Sequence, residues 1–277
     1  MSNYLKLVNF EFNRIGKLFA VLLAITFIVQ IVGVIVQSKS YLNRANEMIY
    51  KEMMPKAEFL ESYGQMSFLE VVYSVWFIGP IALCIAGVGF YIFLIWYRDW
   101  MGKNTFIYRL LMLPTTRLNI FYAKITNIMI MTFGLIAFQL VLLPIENLVM
   151  KSMVPKEFRA DLTVSEIVTR IPELSIIIPS SMIELIVYYG AGLLAVAILF
   201  TAILMERSFR WKGIFAGLIY IAVAVILTIS PLLLQAFVFH GFFYPIELFI
   251  LEIVFGLIVL AASIWTSGFL LTKKITV

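Results

Sequence analysis

Of the 277 residues, 62% are hydrophobic and only 13% are charged, against roughly 25% charged in an average soluble protein. That composition excludes a large water-soluble core, and the net charge of +5 has no soluble domain to present it to nucleic acid. One cysteine, Cys84, excludes a disulfide within the chain, and one histidine, His240, leaves no His/Cys cluster for zinc.

In chain order, residues 1–17 mix Leu5, Leu7, Val8, Phe10 and Phe12 with Asn3, Lys6, Asn9, Glu11 and Asn13. This pattern predicts an amphipathic helix lying in the headgroup layer. Six apolar runs follow, near Leu18–Val36, Val71–Tyr97, Ile125–Leu148, Met182–Met205, Ile214–Val238 and Pro245–Leu271. Each exceeds the ~18 residues that cross a ~30 Å hydrocarbon layer as a helix. The first is too long for a signal-peptide core and has no small-x-small site after it, so it reads as a retained span. The expected fold is all-α: a six-span membrane domain over 18–271, an interfacial segment over 1–17 and a tail over 272–277.

The connections add shape. The first, Tyr41–Met66, reads as an amphipathic helix broken at Pro55. The second contains Thr105–Leu113, a two-turn helix capped by Asn104 or Thr105 and stopped by Pro114, after which Thr115 or Thr116 starts the next helix. It is too short to cross a bilayer and too apolar for free solution, so it should lie on the membrane surface or dock on a partner. The third, Lys151–Pro179, is interrupted by three prolines.

Lys and Arg counts orient the chain. The N-terminal tail, the second and fourth connections and the C-terminal tail hold 13 Lys and Arg but only three acids, Glu11, Asp99 and Glu206. The first and third connections hold eight basic and nine acidic residues, and the fifth has no Lys or Arg. Both termini are therefore expected in the cytoplasm.

Ionisable groups within spans are candidates for function. Ser181-x-x-Glu184 reads as a capping box, Glu247 suits the first turn after Pro245, and Glu146 is placed to reach the headgroups. Glu252 lies deeper, on one helical face with Gly256, Val259 and Ser263, and has no Lys or Arg in its own span. With Gln139 and Gln235 it is a candidate pathway residue. Gly213-x-x-x-Gly217 allows close helix approach. No phosphate-binding Gly-x-x-x-x-Gly-Lys-Ser/Thr loop, no His-Glu-x-x-His and no Gly-x-Ser-x-Gly motif occurs, so no catalytic or metal site is expected in this chain.

The six spans, the segment 3–17, the helix Thr105–Leu113 and the stretch Leu111-Met112-Leu113-Pro114-Thr115-Thr116-Arg117 with Ala123-Lys124 resemble the membrane subunit of type-2 ABC exporters. The resemblance implies a permease subunit, not an enzyme, in a bacterial cell membrane. It implies a coupling helix whose Thr105, Phe106, Tyr108 and Arg109, with Arg117, meet a dimeric ATPase. It also implies a second permease chain, identical or a sister, and ATP and Mg on the ATPase with no cofactor here. An amphipathic peptide, lipid or drug is the expected cargo. Two alternatives stay open: an ion-coupled carrier using Glu252, and a membrane scaffold or sensor.

Overall fold

A computed structural model describes residues 3–101, 106–239 and 241–275, except the side chains at 173 and 239. Eleven helices are described: α1 (Asn3–Asn46), α2 (Lys56–Tyr63), α3 (Phe68–Val72), α4 (Val75–Trp100), α5 (Phe106–Leu111), α6 (Leu118–Met153), α7 (Val164–Arg170), α8 (Pro172–Ile177), α9 (Met182–Phe209), α10 (Trp211–Leu234) and α11 (Pro245–Phe269). Six of them, with their flanking turns, are long and apolar enough to cross a membrane. The chain is an all-α, multi-pass membrane protein.

The spans are longer than their apolar runs. Residues 3–17, expected as a separate interfacial helix, continue without a break into the first span. At 1.5 Å per residue, the 44 residues of α1 run about 66 Å, twice the hydrocarbon layer. Its polar first turns are therefore helix outside the apolar layer, held there by packing described below.

The chain divides into two compact units: 1–14, 89–130 and 181–277 form the first, and 15–88 and 131–180 the second. Both termini, the α4–α6 connection and the α9–α10 turn, the four basic segments, belong to the first unit. The first and third connections both belong to the second.

In the first unit, α9, α10 and α11 join through small residues and hydroxyls. Thr201 on α9 lies 2.9 Å from the Ser267 hydroxyl, and Tyr220 on α10 lies 2.7 Å from that of Ser263. Such pairs hold helices together where lipid supplies no hydrophobic drive. Arg210 alone joins α9 to α10, with φ of 53°. The tight turn brings Gly213 and Gly217 against α9: a Cβ on Gly213 would stand 2.2 Å from the Met205 carbonyl oxygen. The glycine pair therefore marks a helix contact inside this chain.

In the second unit, Val34 of α1, Leu143 and Met150 of α6, Phe68, Val71 and Val72 of α3, and Ile167 and Leu174 beyond α6 share one apolar core. A two-residue parallel bridge, β1 (Met66–Ser67) with β2 (Arg159–Ala160), ties the first connection to the third. Arg159 donates to the carbonyls of Lys151 and Val154, so a cation caps the C-terminal end of α6. Thr163 caps α7, and its backbone N–H and hydroxyl hold the Glu166 carboxyl below the usual carboxylate range. Pro55 precedes α2 and marks the expected break.

Candidate functional site

The first unit holds a buried charge network at one end of α1, α4 and α6. Lys124 of α6 is fully buried and donates to Glu11 of α1 at 2.7 Å, to Asp99 of α4 and to the Ile95 carbonyl at 2.9 Å. Arg14 donates to Asp99 at 2.6 Å, and Arg98 to Glu11 at 3.0 Å. Each buried carboxylate thus accepts from two cations, Arg14 adds a 3.9 Å ion pair to Glu11, and the three Lys124 bonds satisfy every proton of its ammonium. The Trp96 ring lies under that ammonium at 5.1 Å. Desolvating five charges is costly, and here each is matched, so the network fixes the relative rotation of three helices.

This network is invisible to a charge count, which registers Glu11 and Asp99 only as weak offsets to neighbouring Lys and Arg. The third acid of the basic segments, Glu206, accepts from the Tyr97 hydroxyl. All three acids of these segments are thus engaged internally, and the surface they leave is almost purely basic. A lone acid in a basic segment is the signal that could have found them.

Beside the network, α5 packs against the start of α1. Ile107, Leu110 and Leu111 are buried, and Phe106 stacks on Phe10 at 5.5 Å. Arg14 sits 5.1 Å over the same Phe106 ring, so α5 is linked to the network through one side chain. Asn3 reaches the Pro114 carbonyl, and Tyr4 bonds Thr126 at 2.6 Å. A groove of about 450 Å³ runs between them, lined by Lys6, Phe10, Phe106, Arg109, Leu113 and Pro114 among others.

The expected site residues distribute as follows. Tyr108 and Arg109 are exposed, as are Met112 and Leu113, and the Tyr108 ring meets that of Trp100 edge-on at 6.4 Å. Phe106 is turned inward, because its ring completes the Phe10–Arg14 stack. Thr105 and its alternative cap Asn104 lie outside the described residues. Arg117 donates to the carbonyls of Leu271 at 2.6 Å and Ile275 at 2.9 Å, so it anchors the C-terminal segment. The helix spans six residues, Phe106–Leu111, and ends before Pro114 as the proline rule requires.

Of the candidate pathway residues, Gln235 and Glu252 belong to the first unit and Gln139 to the second. Gln235 exchanges two 3.1 Å bonds with the backbone of Phe243 and so closes the α10–α11 turn. Gln139 is buried in the second unit with its Nε2 unpartnered. Glu252 is half-buried on α11, and no hydrogen bond or ion pair reaches it among the described residues. The cap readings fit: the Glu184 N–H donates to Ser181, and Glu247 accepts from the Tyr244 N–H. Glu146 does not reach a surface; it is fully buried, because the face of α6 that carries it enters the core. His240 lies outside the described residues. Among the described residues no group of three His, Cys, Asp or Glu side chains could hold a metal.

No protein-family model, curated protein or solved structure matches this chain.

Proposed function

We propose that this chain is the membrane-spanning subunit of an ATP-driven exporter in a bacterial cell membrane, with α5 as the element that docks on a separate ATPase. The observation that carries the reading is the construction of α5. One face is anchored by Ile107, Leu110 and Leu111, and the other exposes Tyr108, Arg109, Met112 and Leu113, with the Tyr108 ring held edge-on to Trp100 at 6.4 Å. An aromatic ring, a guanidinium and two flexible apolar side chains are typical of an anchor for a protein groove.

The surroundings of α5 suit force transfer. A push on its exposed face passes through Phe106 to Phe10 and Arg14, and from there into the buried ion network. Because Glu11, Asp99 and Lys124 lock α1, α4 and α6, these helices move as a body at this end. ATP binding and hydrolysis on the partner would then tilt spans without any ATP site here. A second permease chain completes the pathway, and an amphipathic peptide, lipid or drug is the cargo class.

Co-purification tests the reading. Wild-type protein extracted in mild detergent brings down an ATPase subunit. Tyr108→Ala with Arg109→Glu lowers its yield ~10-fold or more, as loss of two interface anchors does, while the variant keeps its thermal midpoint because both side chains are exposed. Equal ATPase recovery with the variant, or none with wild type, defeats the proposal.

One observation favours a second reading, an ion-coupled carrier: the unpartnered Glu252 on α11. The two readings separate on Glu252→Gln. An exporter keeps ATP-dependent transport with an unchanged pH profile, whereas a carrier loses its ion-dependent transport.

A further inference from the structure

Glu146 lies on α6 three residues after Leu143 and four before Met150, which places it on the helix face that enters the core of the second unit. It is fully buried, and neither carboxylate oxygen has a hydrogen-bond partner. That core is built from Val34, Phe68, Val71, Phe77, Ile167 and other apolar side chains that cannot donate, with Tyr41 packed against it. Ser38 is also fully buried with an unpartnered hydroxyl, one helical turn beyond Val34 on the α1 face that enters the same core.

The charged and titratable groups described on the surrounding elements are engaged elsewhere or exposed. Tyr41 of α1 donates to the Gly64 carbonyl, and Glu70 of α3 accepts from the Ser67 N–H. Glu166 of α7 accepts from Thr163, and Lys151 and Arg159 both pair with Asp161. Lys39 of α1 and Arg170 of α7 are exposed. The half of α4 in this unit carries no charge. Among the described residues, no cation reaches Glu146.

An ionised carboxylate is not stable without a cation, a donor or water, and a buried acid so placed holds its proton instead. We propose that Glu146 is an internal proton-binding site, neutral while the core of the second unit is packed and ionised only when this end of α6 is exposed to water. The proton is taken from water and returned to it, so the site needs no further reactant. Opening of this core thereby becomes linked to proton release.

Infrared difference spectroscopy at neutral pH tests the site. Wild-type minus Glu146→Gln, in membranes, is expected to give a carbonyl band of a protonated carboxylic acid that the variant lacks. Where the variant fails to fold, wild-type protein with carboxyl-¹³C glutamate gives the same answer, since the isotope shift assigns the band to glutamate. Glu252→Gln must retain that band. Loss of ionised-carboxylate bands in its place, absence of a protonated glutamate band, or its loss in Glu252→Gln overturns the proposal. The first of these would mean that a bound cation or water neutralises Glu146.

Discussion

Lys124→Ala is expected to destabilise the protein by about 3–5 kcal/mol, the cost of breaking a buried ion pair by removing one partner. Lys124 is fully buried and hydrogen-bonds both Glu11 and Asp99. Without it Asp99 keeps Arg14, and Glu11 keeps Arg98 with Arg14 at 3.9 Å; both guanidiniums are partly exposed, so neither replaces the lost ammonium in the interior. Thermal unfolding in detergent, followed by tryptophan fluorescence, should show the midpoint falling by roughly 10 °C. The companion variant sharpens the point: Lys124→Met with Asp99→Leu should cost less than Lys124→Ala alone, because it removes the fully buried Asp99 carboxylate together with the buried ammonium that neutralises it. A midpoint unchanged in Lys124→Ala would show that the network does not hold these helices.

The second large effect is a reversal of sign at Gly213. Gly→Ala inside a helix ordinarily stabilises by about 1 kcal/mol. At Gly192 on α9, where a Cβ meets nothing within 4 Å, that ordinary gain is expected. At Gly213 the new Cβ would lie 2.2 Å from the Met205 carbonyl oxygen and 2.7 Å from the Glu206 Cα. Both are backbone atoms, so relief requires α9 and α10 to separate and opens the contact at Gly217 as well. Gly213→Ala should therefore cost about 1–3 kcal/mol, and Gly213→Val more. Equal midpoints for Gly192→Ala and Gly213→Ala in the same assay would refute the close α9–α10 contact.

The spans were legible because a hydrocarbon layer demands about twenty apolar residues in a row, and little else in the sequence can imitate that. Their true ends were not, because α1 and α6 continue through polar turns that packing stabilises where propensity is neutral. Arg98, Asp99 and Lys124 read as loop charges for that reason, although α4 runs to Trp100 and α6 begins at Leu118. The caps at Ser181 and Glu247 could be read because both partners lie within one turn. Lys124 and Glu11 are 113 residues apart, so their meeting depends on the register of two helices, which no local pattern encodes. The same limit applies to Glu146: spacing places it on a face of α6 but does not say that the face turns inward. At Gly213 and Gly217 the pattern alone was weak, and the one-residue turn at Arg210 is what makes it a contact.

A photo-crosslinker on the exposed face of α5 tests the proposed contact with an ATPase. Replacing Tyr108 with benzoylphenylalanine in living cells and irradiating should yield one dominant adduct, between this chain and a nucleotide-binding ATPase subunit. An adduct with lipid alone, or with proteins that bind no nucleotide, would contradict the account.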